Sequence, residues 1–411
     1  MASESLSVYW GLFLNSCCPI EMALHFCGAC TYCFADLNSP NRTANIPQIM
    51  NMISGFRDKD TYLAKLLQEG YPVVMSNHVD VFSKSNHSIA MPIIECMAAQ
   101  DIPIMFQTKA PPPAFAALDL VPPSVWYVTI TTMDEEVRRR VEPGAPPAED
   151  RLRFIEEAVR RGHRVTIGVN PCVDEWIGDP TELCKAAKAA GAEGAWIQPL
   201  HLSNKQIDAM PDMSKAAIGE SVLTKARRKR KDAANIAIYN ETRSIALDAG
   251  LEIYDAGQKE YSKYFQPEKD VYKKLFPTTQ DFVNYCYDTN KQPNDPIYWS
   301  EFRDFFVPQL PEGVLPLRNH LGAGQYAHFW KIWEDKIPKY MTYEELLWWC
   351  WHIQTIVYSP VNTKCFAWAA HIEEDSDGER SIEPYSDDEG LPIMLFRPEG
   401  TANIHEHWEA W

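Results

Sequence analysis

Between residues 20 and 257, short apolar runs rich in β-branched residues alternate with longer stretches of helical spacing. The runs at 20–26, 72–76, 102–107, 125–131, 164–169, 195–200 and 251–254 read as strands. The stretches at 58–69, 87–100, 148–161, 180–190 and 232–249 carry apolar residues at helical intervals. Asp179, followed by Pro180, has the order of an N-cap and a first helical residue, and Gly191 stands where that helix ends. Gly162, after a run of basic residues, closes the helix over 148–161 in the same way. Strand and helix repeated six or seven times imply parallel strands. The expected architecture is α/β, a partial (β/α)6, TIM-like barrel. Its functional groups belong at the C-terminal ends of the strands.

After residue 257 the alternation stops. Nine of the thirteen tryptophans lie at or beyond Trp299, and residues 344–358 form a strongly apolar helical stretch. The sequence therefore divides into a barrel core, 1–257, and a C-terminal region, 258–411, expected to be Trp-rich, mostly helical and partly irregular. A Trp-rich stripe is more often core than binding surface.

Composition adds limits. With 45% hydrophobic residues in 411, the chain can bury a large core. No apolar run reaches the roughly 18–20 residues of a membrane span, and the short apolar patch at 8–14 has no basic residues before it. A cytoplasmic protein with no membrane partner is the expectation. The net charge of −17 argues against a surface that coats nucleic acid as a whole. The charge is uneven, however: residues 225–231 hold six basic side chains, and residues 372–390 hold nine acidic ones against one arginine. Solvated surface is the plain reading of both.

The densest chemistry lies directly after the first expected strand. Cys27, Cys30 and Cys33 fall within seven positions, with Tyr32 and Phe34 flanking the last. Three neighbouring thiols leave a remainder if they pair, and a reducing cytosol disfavours disulfides. Thiolates on one loop also suit zinc or an iron–sulfur cluster. A closed zinc site needs a fourth ligand, for which only Cys17 or Cys18 is near in sequence. Three thiolates on a four-iron cluster leave one iron open to an exogenous ligand, as catalysis requires.

At these residues the sequence resembles the radical S-adenosylmethionine (SAM) enzymes, and among them the spore-photoproduct-lyase-like branch. The resemblance covers roughly residues 20–257. It includes the Cys-Thr-Tyr-Cys-Phe run, the segment at 102–110 ending in Thr108-Lys109, the segment at 128–171 with its Glu-Pro-Gly-Ala-Pro turn, and the polar loop at 76–82. Two features depart from the family pattern. The cysteines are spaced Cys-x2-Cys-x2-Cys rather than Cys-x3-Cys-x2-Cys, and Ser76-Asn77-His78 stands where many members carry glycines. No cysteine adjoins the second strand, so the chain is not expected to be a spore photoproduct lyase itself.

The resemblance implies that Cys27, Cys30 and Cys33 hold a [4Fe–4S] cluster whose open iron chelates S-adenosyl-L-methionine. Electron transfer from the cluster would release a 5′-deoxyadenosyl radical, which abstracts hydrogen from the substrate. It implies SAM contacts from Tyr32, Phe34, Ser76, Asn77, Asp80, Thr108, Lys109, Thr131 and Asn170. Lys109 and Cys172 are the catalytic candidates, the first as partner of the SAM carboxylate and the second as hydrogen donor to a product radical. For each there is a plainer reading. Lysines at strand ends reach for solvent, threonine is common in strands, and buried cysteines are usually inert. Glu142 reads as a turn residue. An external one-electron reductant, flavodoxin- or ferredoxin-like, would feed the cluster.

The expected substrate is a nucleobase in DNA, a modified thymine being the leading case, with the basic run near the barrel mouth and aromatics to hold a flipped base. A peptide or small metabolite is the alternative within the same chemistry, and a non-catalytic zinc protein is the alternative outside it. Oligomeric state stays open.

Overall fold

The computed structural model describes residues 6–7, 21–22, 27, 30–33, 46–59, 64, 67–68, 70, 72–75, 79–200, 202, 204–228, 232–253, 279–310, 314–316, 340–352, 366–374 and 380–396. These fall into two compact units, one within residues 1–7 and 20–268, the other within 269–411. The boundary expected at 257 lies outside the described residues.

In the first unit the order is β1 (Leu6–Ser7), β2 (Glu21–Met22), α1 (Ile46–Ser54), β3 (Val73–Met75), α2 (His87–Ala99), β4 (Ile104–Thr108), α3 (Pro113–Ala117), β5 (Val125–Thr129), α4 (Glu135–Val141) and α5 (Ala148–Arg160). There follow β6 (Arg164–Cys172), α6 (Asp174–Ile177), α7 (Pro180–Ala189), β7 (Gly194–Pro199), α8 (Asn204–Ala209), α9 (Asp212–Ile218), α10 (Glu220–Arg228), α11 (Ala233–Asp248) and β8 (Glu252–Ile253). All seven expected strands have a counterpart. One eight-stranded sheet runs β1 to β8 in chain order. β1 pairs antiparallel to β2, and every later neighbour is parallel. Strand order that follows chain order is the winding of a (β/α) barrel, whereas a doubly wound sheet reverses partway. The fold is therefore the partial TIM-like α/β arrangement expected.

Local chemistry explains the helix limits. The Asp179 carboxylate accepts from the Thr181 amide at 2.8 Å, and Gly191 ends α7 at φ +96°. Asp134 caps α4 by accepting from the Glu136 and Val137 amides at 2.7 and 3.1 Å.

The sheet has two unlike faces. Alternate residues point to opposite sides. On the helix side, Trp126 stacks on Phe106 with ring centroids 4.0 Å apart and meets Phe154 of α5 edge-on at 5.2 Å. All three rings are fully buried, and each contributes roughly 2–3 kcal/mol of transfer free energy. Toward the C-terminal ends of the strands the opposite face carries Gln107, Tyr127, Thr129, Gly168 and Trp196 by register, with Asn170 and Gln198 joined to it through Tyr127 and Trp196. Apart from Tyr127 and Gly168, these side chains are only half-buried. A parallel sheet normally buries apolar residues on both faces, so a polar inner face marks where this fold departs from packing alone. There the Tyr127 ring lies across Gly168, and a Cβ on that glycine would stand 2.2 Å from the phenol carbon and oxygen.

The second unit contains α12 (Thr279–Asp288), β9 (Pro296–Ile297), α13 (Trp299–Phe306), β10 (Val314–Pro316), β11 (Tyr340–Thr342), α14 (Tyr343–His352), β12 (Phe366–Trp368), β13 (Ala370–Glu374), β14 (Arg380–Pro384) and β15 (Met394–Phe396). Its core is aromatic: Phe282, Trp299, Phe302, Phe306 and Trp351 are buried and mutually in contact. Three small antiparallel sheets accompany the helices. The sequence reading of a mostly helical region missed them: β10–β11 and β9–β15–β12 are short strands that pair across long gaps, and β13–β14 lies in the acidic stretch read as solvated surface. Among the described residues no helix is long and apolar enough to cross a membrane.

Gly168→Ala is expected to lower the unfolding free energy by about 1–3 kcal/mol, measured by urea denaturation. In a Tyr127→Ala background the same change should cost much less, because the clashing ring is gone.

Candidate functional site

The cysteine loop follows β2 and is fastened to the segment that ends α4. The Thr31 amide and hydroxyl both donate to the Val141 carbonyl, at 3.0 and 3.1 Å. One residue further on, the Tyr32 ring packs against Trp176 of α6 with centroids 5.5 Å apart, beside a buried cluster that includes Val173, Leu202 and Leu223. Cys27, Cys30 and Cys33 are half-buried and outside any disulfide. Burial pushes the Cys30 thiol up to about 12, although the Lys109 ammonium pulls the other way. Glu142, Cys33 and Cys27 push it up further.

At the centre is Glu142, a residue the sequence reading set aside as a turn residue. Its side chain has no exposure at all. One carboxylate oxygen, Oε1, accepts from the Tyr32 hydroxyl, from Lys109 Nζ at 2.7 Å and from Thr131 Oγ1 at 2.6 Å. The other, Oε2, accepts from Arg151 at 2.6 Å. Arg151 lies on α5 with 1% exposure, and it also donates to the Thr129 carbonyl at 2.7 Å and to the Pro146 carbonyl at 2.9 Å. Burial alone would raise the Glu142 carboxyl. The Arg151 and Lys109 cations outweigh it and hold the group far below the usual carboxylate range. Burial together with the adjacent Glu142 pushes the Tyr32 phenol well above its ordinary value.

Lys109 is set from the other side by Asp80. The Asp80 carboxylate accepts from the Lys109 amide at 2.8 Å, from Thr108 Oγ1 at 2.9 Å and from the Phe82 amide at 3.0 Å. This ties the turn after β3 to the end of β4. The next residue, Ala110, is held at φ +52°, and its amide donates to Thr108 Oγ1 at 2.9 Å. A β-carbon in the left-handed region costs of order 1 kcal/mol, so this turn is specified by its side chains. It leaves the Lys109 ammonium 14% exposed, 3.2 Å from the Tyr32 hydroxyl.

The expected residues thus separate into three groups. Tyr32, Lys109 and Thr131 meet on Glu142, with Asp80 and Thr108 behind them. Asn170 lies on the inner face, where it pairs with Tyr127. Cys172 sits elsewhere: its sulfur is fully buried on the helix side, 3.5 Å from Thr242 Oγ1 of α11, and burial pushes its thiol up to about 12. Phe34, Ser76 and Asn77 lie outside the described residues, as do the alternative ligands Cys17 and Cys18. Within the basic run, Lys225 pairs with Glu175 at 2.8 Å, Arg227 with Asp208 at 2.6 Å and Arg228 with Asp232 at 3.7 Å. Lys229, Arg230 and Lys231 are outside the described residues. Sequence reasoning missed Arg151, whose signal was its place at an apolar helical interval with Ala148, Ile155 and Ala158.

A four-iron cluster takes one thiolate at each of separate corners. The three thiols on one anchored loop, beside a cation, fit that donor set. Among the described residues no three His, Cys, Asp or Glu side chains converge on a single-ion position.

No family model matches the chain, and no curated protein matches it. Solved structures do. A spore photoproduct lyase variant with bound AdoMet and dinucleoside spore photoproduct is 14% identical, covers 58% of this chain and 77% of its own, and has a TM-score of 0.42. Streptococcus suis SuiB bound to precursor peptide SuiA is 12% identical over 60% of this chain and 50% of its own, with a TM-score of 0.38. Methylornithine synthase (PylB) is 12% identical over 56% and 67%, with a TM-score of 0.32.

Glu142→Ala is expected to destabilise the protein by about 3–5 kcal/mol, because two buried cations lose their counter-ion. A carboxyl held below its unfolded value contributes stability above that value and loses it as pH falls toward the folded one. The wild type should therefore lose stability steeply below its unfolded value of 4.5. Glu142→Gln should show a flatter acid limb. Urea unfolding across acidic pH measures both.

Proposed function

We propose that this chain is a radical SAM enzyme. The reading rests on one observation: three thiols on a loop are fastened, through Thr31 and Tyr32, to a buried carboxylate–cation network at the strand ends of a parallel sheet. Cys27, Cys30 and Cys33 would hold a four-iron cluster, and SAM would bind beside it. When bound, the pair supplies reductive cleavage of the sulfonium and with it a hydrogen-abstracting radical, the electron coming from an external flavodoxin- or ferredoxin-like donor.

The chain's own residues do the rest. The Lys109 ammonium offers a donor to an anionic group such as a carboxylate. Thr131 and Tyr32, locked on Glu142, fix the wall beside the loop. The hydrophobic cluster around Trp176 keeps water from the loop's inner side. Cys172, facing α11, is a packing residue in this reading, and hydrogen return to the product falls to a group other than Cys172.

For the substrate we favour a nucleobase, received on the inner face, where the Trp196 indole is half-buried beside the Gln198 amide and the Asn170 and Gln107 amides lie on the same face. A flat indole suits base stacking and the amides suit neutral polar edges. A small metabolite or peptide is the second reading. It is favoured by the ion pairs that occupy Lys225, Arg227 and Arg228, since those charges are already partnered and give less to a DNA backbone.

Protein purified without oxygen is expected to bind about four irons and four sulfides per chain. With dithionite and SAM it should form 5′-deoxyadenosine, detected by mass spectrometry, and Cys30→Ala should form none. Zinc in place of iron, with SAM untouched, would sink the reading.

A further inference from the structure

The buried carboxylate does more than balance charge. Glu142 has two oxygens with different tasks. Oε2 is committed to Arg151, whose Nε and Nη1 also donate to the Pro146 and Thr129 carbonyls, so the arginine is fixed by strand β5 and by the turn before α5. Oε1 faces the loop and takes three donors at once: Tyr32 from the cysteine loop, Lys109 from the end of β4 and Thr131 from just beyond β5. Four parts of the chain, from nine to 110 residues away from Glu142, meet on this one side chain. Tyr32 lies between Cys30 and Cys33, and Glu142 directly follows Val141, whose carbonyl holds Thr31. The loop tip is therefore gripped by two consecutive residues, one through backbone and one through side chain.

We infer that Glu142 is a positioning residue for the cysteine loop and for Lys109, with Arg151 as the anchor that fixes the carboxylate. Glu142 acts by seating Tyr32, and with it Cys30 and Cys33, against the strand ends, and by aiming the ammonium at the same place. This inference rests on the functional reading above for its purpose, but the seating itself is a property of the chain. It predicts that weakening Glu142 loosens the loop locally while the rest of the barrel stays closed, because the contacts that hold the aromatic layer on the helix side do not pass through it.

The test is cysteine-resolved alkylation of the full-length chain as purified, with iodoacetamide and mass spectrometry. In Glu142→Gln, Cys30 and Cys33 should react about tenfold faster than in wild type, since local opening rises by the worth of the lost contacts. The fully buried Cys172 and Cys184, which open only with the whole unit, should still react far more slowly than the loop cysteines in the same variant. Tyr32→Phe removes a single donor and should shift the loop cysteines in the same direction by a smaller factor, which keeps the test decisive if Glu142→Gln folds poorly. Wild-type rates at Cys30 in both variants would overturn the inference. So would labelling of Cys172 and Cys184 at the same rate as Cys30 and Cys33 in Glu142→Gln, which would mean that the loop opens only with the whole fold. Iron-free wild-type protein would overturn the functional reading alone, and the ratio of rates would still decide this one.

Discussion

A carboxylate with no solvent exposure, held between a lysine and an arginine, is the constraint on which this site turns. Burying any one of these charges alone would cost several kcal/mol. Buried together, two cations and one anion are tolerable only if the hydrogen bonds around them are made. They are made: Glu142 takes four donors, and Arg151 closes on two carbonyls. The requirement to satisfy that carboxylate draws β4, β5, α5 and the cysteine loop to one point. A site assembled this way is set by geometry before any ligand arrives, which is what precise chemistry on a bound substrate needs.

The sheet supplies the complementary half. Its helix side is closed by Trp126, Phe106 and Phe154, the kind of dense layer that gives an α/β fold its stability. Its other side gives up such packing for amides, a hydroxyl, a phenol and an indole. Gly168 lets the Tyr127 ring lie flat across the sheet, where it reaches Asn170. The stability comes from one face, and the other is free to carry chemistry.

Much of this is legible in the sequence, and the exceptions have physical reasons. Strand and helix positions follow from local periodicity, so β3 to β7 and α7 sit where the pattern places them. Asp80, Thr108, Lys109 and Thr131 fall at strand ends, where a parallel fold gathers functional groups. Glu142 and Arg151 were missed because their meaning is tertiary. A glutamate before a proline looks like a turn residue until its four partners are in place, and they come from as far as 110 residues away. Arg151 was partly visible, as the one charged residue in the buried stripe of an otherwise amphipathic helix. Cys172 was singled out by its position along the strand. It stands at a strand end, but the register shift after Val169 interrupts the side-chain alternation and turns it toward α11. In the basic run, for which solvated surface was the plain reading, three members sit in ion pairs within their own unit.

Mössbauer spectroscopy of protein loaded with isotopically enriched iron addresses the site most directly. The account predicts a four-iron cluster in which one iron becomes distinct from the other three when SAM is added, because three cysteines leave one corner for an exogenous ligand. A spectrum unchanged by SAM, or iron bound as isolated ions, would contradict it.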